Sequence, residues 1–499
     1  MIDVPPPLAE NRRFPWWIVW GALLLPIVYL PTLAMPFDFA DDALLVYAPP
    51  PMPAVDHLEY YWTKVVSDFR TRGPFRPVAW AYWEGFGYLL GPDAFRWRLL
   101  RVFWAAVASA SLLWLLKELG FRPLPSLVTG AVLMWNPFGN ELWLGTTMPE
   151  GIAMPFALSA LACAVRATRS HRPWLWDLLG VAAMIAALGC KNTFAALIPA
   201  QFLLRICPEG RNWRAEWHAN GRRACLLALT IMLPIAHYVA FKLNPHPGQY
   251  PTTTPKLDCL VQMLKAVSGT LALDYIGAGL VMAATFSGIR TLCNMCDRHR
   301  GALITGLALF VCGIGIYLPI GNVAARYAVP AAWGAAIALA TVIAALAESP
   351  KVWLKRLALA GIACGLLAAI VANLGRQDKV GARIAMLWEA LDCVREQAPQ
   401  NVYVGWWTGP GLDLSEGYHF RGHLYHAGRT DVRMPLESDP AYLESAVVAV
   451  SGLPAAPGDE WQIIKICTTS YWLGKRQYRC YIWRRSHSAT ALRQSADAR

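Results

Sequence analysis

Asp38-Phe39-Ala40-Asp41-Asp42 puts three carboxylates within five residues, immediately after the first long apolar run. A carboxylate beside the end of a membrane helix is costly if it faces lipid. It is useful if it lines a site at the surface, where it can take a proton from an attacking hydroxyl. Asp41 and Asp42 are the candidates for that role and are interchangeable in it; Asp38 is a supporting candidate. Glu84, Glu141, Glu150, Lys191 and Arg326 each fall at or near the end of an apolar segment. Carboxylates suit hydroxyl-rich ligands, whereas Arg and Lys suit phosphate. Each also has a plain structural role open to it: helix-to-helix hydrogen bonding for Glu150, a satisfied lysine for Lys191, and interface anchoring for Arg96, Arg98 and Arg101.

These residues need a scaffold, and composition points to its class. The chain has 499 residues, 56% hydrophobic and only 16% charged, with mean hydropathy +0.34. That balance is not that of an ordinary soluble protein. Apolar stretches of spanning length recur over 15–373, more than a signal peptide or one buried helix would produce. Hydropathy predicts about eleven transmembrane helices, over 16–33, 98–116, 123–139, 149–165, 174–189, 192–206, 225–243, 268–286, 301–319, 327–347 and 357–373. The first follows Arg12 and Arg13, lacks a small-residue cleavage site and reads as a retained helix. The pair around 174–206 is short and interrupted by Cys190-Lys191-Asn192, a pattern allowed where protein or a cavity covers the break.

The net charge of +12 sits almost wholly in the membrane part, because the tail from Val380 carries 13 Lys and Arg against 12 Asp and Glu. Basic residues gather in alternate connections: Arg12 and Arg13; Lys117 and Arg122; Arg166, Arg169 and Arg172; the series over 205–223; Arg290, Arg298 and Arg300; Lys351, Lys355 and Arg356. The positive-inside rule makes these the inner loops and the N-terminus cytoplasmic. A bias of this kind accounts for the charge without a nucleic-acid groove. The aspartate cluster, Glu84, Glu141, Glu150, Lys191 and Arg326 are then expected to share the outer face.

The outer loop expected over 34–97 is broken by Pro49-Pro50-Pro51 and Pro53. Leu58, Tyr61, Trp62, Val65, Val66 and Phe69 then recur at helical spacing, and Trp80, Tyr82, Trp83, Phe86 and Tyr88 precede Gly91-Pro92. Two helices lying in the headgroup layer fit this pattern. Arg96, Arg98 and Arg101 enter the second span against the usual charge bias, which suggests a phosphate to be held. The loop over 244–267 reads as irregular. Beyond about Gly381 the sequence predicts an amphipathic helix over 382–396, a strand over 401–407 and a hairpin pairing 461–467 with 478–483. These make a small α+β domain, 380–499, after a membrane domain, 1–379. Cys467 and Cys480 flank the hairpin and could form a disulfide if the tail is exported. Cys293 and Cys296 form a lone CxxC in a basic loop. His419, His423 and His426 have loose metal-like spacing but read as part of a solvated aromatic-basic loop.

Asp41-Asp42 follows the first span. Phe75-Arg76-Pro77-Val78 through Gly91-Pro92 and Phe95-Arg96 leads into the second, Lys191 lies between two short spans, and a late NVAARYAVP stretch carries Arg326 and Tyr327. In this order the motifs resemble the GT-C superfamily of membrane glycosyltransferases, including its O-mannosyltransferase-like and arabinosyltransferase-like branches, over residues 15–375. The resemblance implies an all-α polytopic membrane protein with a small C-terminal α+β extracytoplasmic domain. It implies an inverting enzyme of a bacterial cytoplasmic membrane, taking a sugar from a polyprenyl-phosphate donor at the outer face. Asp41 and Asp42 would be catalytic. Arg326 and Lys191 would bind the donor phosphate, and Asp38, Arg76, Glu84, Arg96, Glu150 and Tyr327 would complete the substrate site. The sequence requires no cofactor, and a divalent cation at Asp41 or Asp42 is compatible with it. The acidic motif departs from the Asp-Glu form of the O-mannosyltransferases, which favours a glycan or lipid acceptor over a protein. A flippase or transporter of a lipid-linked sugar would use the same phosphate clamp, a donor with two phosphates fits equally, and a noncatalytic scaffold is a third alternative.

Overall fold

The computed structural model describes residues 15–39, 54–72, 75–135, 140–207, 213–221, 224, 227–243, 256–270, 299–316, 325–348, 352–398, 404–407, 414–429, 431–432, 446, 448–452, 454, 461–469 and 478–485. In chain order the helices are α1 (Trp16–Leu24), α2 (Ala54–Arg72), α3 (Pro77–Leu90), α4 (Ala94–Glu118), α5 (Pro123–Met134), α6 (Asn140–Leu144), α7 (Pro149–Arg169) and α8 (Pro173–Cys190). They continue with α9 (Ile198–Ile206), α10 (Trp213–Asn220), α11 (Ala228–Leu243), α12 (Lys256–Thr270), α13 (Arg300–Gly315), α14 (Val329–Glu348), α15 (Val352–Gln397) and α16 (Leu414–His426). Strands β1 (Val404–Trp407), β2 (Val448–Ser451), β3 (Trp461–Thr469) and β4 (Tyr478–Arg485) form one sheet in the order β1-β2-β4-β3. The chain is therefore mainly helical with a small C-terminal sheet. Helical segments stand at each expected span except 268–286, most of which lies outside the described residues. Five described helices are long and apolar enough to cross a membrane: Trp16–Ala34, α4, α7, α8 and Lys355–Gln397.

The first span is not one regular helix. After α1 it tightens into a 3-10 helix, Leu25–Ala34, with Pro26 at its start and Pro31 inside. Proline has no N–H to give, and the missing partners come from neighbouring side chains. Trp135 Nε1–H donates to Leu25 O at 2.8 Å, Gln377 Nε2–H to Val28 O at 2.9 Å, and the Tyr29 hydroxyl donates to Met134 O. Gln377 and Asn373 are both fully buried on α15, so the last described span packs on the first.

Helix α15 corrects the expected organisation. The last span and the amphipathic helix over 382–396 are one continuous 46-residue helix, about 69 Å at 1.5 Å per residue. That is more than twice a hydrocarbon core of about 30 Å. The switch to polar residues at Arg376-Gln377-Asp378-Lys379 marks where hydropathy falls, not where the helix ends. The expected boundary at 379–380 falls inside it. Its far end carries Leu387, Leu391 and Val394 into a second core with Val404, Val448, Phe420 and Ile482 from the sheet and α16.

Two further expectations are revised. The stretch from Lys256 is helix α12 rather than irregular loop, with α12 packed on the 3-10 helix Ala325–Ala328. The 192–206 span is a 3-10 helix, Asn192–Leu197, followed by the short α9. Strands β3 and β4 pair antiparallel with Cys467 opposite Cys480. Both thiols are free and fully buried, and burial pushes the Cys467 thiol up to about 12.

Helices α13 and α14 touch backbone to backbone. A Cβ on Gly334 would lie 2.2 Å from Gly306 O and 2.6 Å from Phe310 N, and one on Gly313 would lie 2.6 Å from Ala331 N. Small residues permit this approach, and it fixes the start of α14, into which Tyr327 leads. Gly334→Val is therefore expected to destabilise the folded protein by about 3 kcal/mol, the upper end of usual overpacking costs, measurable as a fall in thermal midpoint in detergent.

Candidate functional site

One end of the bundle is assembled by buried side chains that bind backbone carbonyls. Asp93 caps α4 by accepting the Arg96 N–H at 3.2 Å, and the helix then presents Arg98 and Arg101 inward. Arg98 Nε donates to Met35 O at 2.7 Å, Nη2 to Pro36 O, and Nη1 to Leu144 O at 2.9 Å. Arg101 Nε donates to Leu142 O at 2.9 Å and Nη2 to Met148 O at 2.7 Å, with its guanidinium 5.6 Å from the Trp143 ring. Trp83 on α3 adds an indole bond to Thr147 O at 2.9 Å. The segment after the first span, α3, the 142–148 turn and the start of α7 are thereby joined at a single place. Arg98 and Arg101 are each 1% exposed; Arg98 spends its three nitrogens on carbonyls, and Arg101 spends Nε and Nη2 on them.

Glu150, Lys191 and Tyr327 meet at this end. Glu150 lies in the first turn of α7 and Lys191 at the C-terminal cap of α8. Helix dipoles favour a carboxylate at the first position and a cation at the second. Lys191 Nζ sits 2.8 Å from Glu150 Oε1 and 5.1 Å from the centroid of the Tyr327 ring. Glu150 is 2% exposed at its side chain and Lys191 16%, so the lysine is the less buried partner. The other end of α8 makes a useful contrast. There Asp177 and Arg205 form a two-pronged pair at 2.6 and 2.9 Å, each 1% exposed. That pair closes on itself, whereas Lys191 keeps access for a further partner.

The acidic segment is held just as firmly. His423 Nε2 lies 3.4 Å from Asp38 O, and Trp388 Nε1–H donates to Phe37 O at 2.9 Å. Asp38 Oδ1 accepts the Phe39 N–H at 2.7 Å. Phe39 is fully buried against Trp388, Phe420 and His423, at centroid distances of 5.5, 5.8 and 4.9 Å. His423 and His419 are thus buried on α16, not part of a solvated loop, because their helix packs on α15. Asp41, Asp42, Cys293 and Cys296 lie outside the described residues, as do the side chains of Glu141 and Arg326. The Arg326 backbone lies in the 3-10 helix Ala325–Ala328.

Arg76, as its N-cap, and Glu84 belong to α3 and Arg96 to α4. Arg96 pairs with Asp93 at 3.1 Å on the surface. Arg76 caps α3 and sits 4.0 Å from Asp68, which also accepts the Trp80 indole N–H at 3.1 Å. Glu84 is half-buried on α3; burial raises its carboxyl above the usual range, with Lys64 opposing. Among the described residues, no three His, Cys, Asp or Glu converge as metal ligands. The contacts of Trp388 and His423 with the segment after the first span escaped the sequence reading, because nothing in local spacing links them to residues some 350–385 positions earlier.

No protein family and no curated protein matches the sequence. Two solved structures share its coarse arrangement. One is the oligosaccharyltransferase AglB from Archaeoglobus fulgidus in complex with an inhibitory peptide and a dolichol-phosphate: 11% identity, TM-score 0.46, covering 88% of this chain and 69% of that one. The other is an Archaeoglobus fulgidus oligosaccharyltransferase with Zn and sulfate: 14% identity, TM-score 0.44, covering 87% and 68%. Likenesses at this level are too coarse to assign a fold or an activity.

Two substitutions probe this end of the bundle. A Cβ on Gly151 would lie 2.7 Å from Arg101 Nη2, which its carbonyl bonds hold in place. Gly151→Ala should therefore cost about 1–3 kcal/mol, read as thermal unfolding, and Arg101→Lys should be similarly damaging because an ammonium cannot span the same carbonyls. For Glu84 the folded state resists ionisation, so its burial penalty appears as pH rises from the ordinary value of 4.5 through the raised one. Glu84→Gln should unfold at a higher temperature than the parent at neutral pH and at nearly the same temperature near pH 4.

Proposed function

We propose that this chain is an inverting GT-C-type membrane glycosyltransferase that moves a sugar from a polyprenyl-phosphate donor to a glycan or lipid acceptor at the outer face. The observation that carries the reading is the convergence at one end of the bundle. There the part-exposed Lys191, backed by buried Glu150 and the Tyr327 ring, shares a scaffold with the clamped segment leading to Asp41 and Asp42.

The chemistry follows from the residue types. A carboxylate, Asp41 or its neighbour Asp42, takes the proton of the acceptor hydroxyl as that oxygen attacks the anomeric carbon. The carbon–oxygen bond to the lipid phosphate breaks, its electron pair leaves with the phosphate, and the single displacement inverts the carbon. Lys191, with Arg326, opposes the charge that grows on the departing phosphate. Glu150 holds the ammonium in place. Asp38, with one oxygen on its own chain, shapes the segment. The basic connections expected on the inner side support an outer position for this end, and the aromatic helices α2 and α3 suit the headgroup layer.

The test is transfer by purified protein supplied with radiolabelled polyprenyl-phosphate sugars and membrane acceptors. Asp41→Asn or Asp42→Asn should lower the rate about 10²–10⁴-fold, the usual span for a lost general base. Lys191→Met should lower it about 10²–10³-fold, as for one lost oxyanion donor. Near-parental rates in both aspartate variants would remove the assignment. Donor crossing the bilayer without any glycosylated product would favour the flippase.

A further inference from the structure

Four consecutive carbonyls, those of Met35, Pro36, Phe37 and Asp38, each meet a side-chain nitrogen. The first two are held by Arg98 from the membrane bundle. The next two are held from the C-terminal part: Phe37 O by the Trp388 indole on α15, and Asp38 O by the His423 ring on α16. A carbonyl only accepts, so His423 serves Asp38 O in the form that carries a proton on Nε2. Flanking rings lock the arrangement. Phe37 stacks on His423 at 6.5 Å and 19°, Trp388 lies 4.8 Å from His423, and Phe39 fills the core of the C-terminal part.

We propose that Trp388 and His423 are positioning residues through which the C-terminal domain sets the acidic segment, and with it the presentation of Asp41 and Asp42. The inference deepens, and rests on, the reading of those aspartates as the reacting carboxylates. Chain connectivity supplies the link: Asp41 is two residues beyond Phe39 in the sequence. Misplacing a catalytic group by about 1 Å can cost about 10²-fold in rate. A domain that fixes the backbone this close in sequence therefore bears on turnover without touching substrate.

The test uses the full-length protein in detergent or nanodiscs. Trp388→Phe keeps a ring and loses the N–H donor, His423→Phe does the same at the second carbonyl, and His423→Gln returns an N–H donor. Ile482→Ala, in the same core but on β4, controls for simple loss of stability. Each variant is assayed for kcat, for KM towards the donor, for thermal midpoint, and for hydrogen exchange in peptides covering 35–42. Trp388→Phe and His423→Phe should lower kcat about tenfold or more, as misplacement requires, with donor KM nearly unchanged and faster exchange in that peptide. His423→Gln should recover part of the loss, and Ile482→Ala should lower the thermal midpoint while sparing kcat. Unchanged exchange in both ring variants overturns the inference whatever the activity does. So does a kcat that merely follows the thermal midpoint across all variants. Inactive aspartate variants beside fully active Trp388→Phe and His423→Phe would sink this inference alone. Active aspartate variants would sink the glycosyl-transfer reading, leaving exchange to decide whether the two residues hold the segment.

Discussion

Carbonyls that leave regular helix in or near a membrane must find donors within the protein, and this requirement organises much of the architecture. From Leu25 to Asp38 the first span and its exit are irregular. The carbonyls of Leu25, Val28, Met35, Pro36, Phe37 and Asp38 meet Trp135, Gln377, Arg98, Trp388 and His423. A buried acceptor left unsatisfied costs about 1–3 kcal/mol, so losing several would consume much of a typical net stability of about 5–15 kcal/mol. Pro31 leaves Val28 O without its 3-10 donor, the chain after Ala34 leaves the helix, and side chains from across the chain supply the bonds. The acidic segment is consequently anchored by the same bonds that let the first span be irregular.

The charges at the two ends of α8 form ion pairs that differ in burial. Asp177 and Arg205 exchange two short hydrogen bonds and are closed to solvent, an arrangement that compensates for desolvation by geometry alone. Lys191 and Glu150 make a single close contact with only the carboxylate deeply buried. An ammonium has three donors, and one of them is taken by Glu150. The Tyr327 ring face adds attraction for the cation without occupying a donor.

What the sequence disclosed depended on the range of the physics involved. Local patterns were informative: helices α2 and α3 follow from aromatic spacing, the break at Lys191 from an interrupted apolar run, and the β3–β4 hairpin from two β-rich segments. The hydropathy drop near Arg376 misled because polarity and helix termination are different properties, and α15 has no proline to stop it. Arg98 and Arg101 were conspicuous, but a guanidinium suits carbonyls as well as phosphate, and only the fold decides which lies in reach. His423 was legible as a histidine with loose metal-like spacing. Its place beside Asp38 was not, because that contact joins opposite ends of the chain.

That separation has a consequence for how the site comes into being. Phe37 belongs to the core of the membrane bundle and Phe39 to the core of the C-terminal part, with Asp38 between them. The two cores are already joined through the unbroken α15, so they cannot turn freely about a linker. Contacts of such sequence separation form only after the loop between them closes. The Asp38 carbonyl meets its partner only when α16 has folded against α15. The C-terminal part is thus a structural component of the site end, and its folding is the step that completes the exit from the first span.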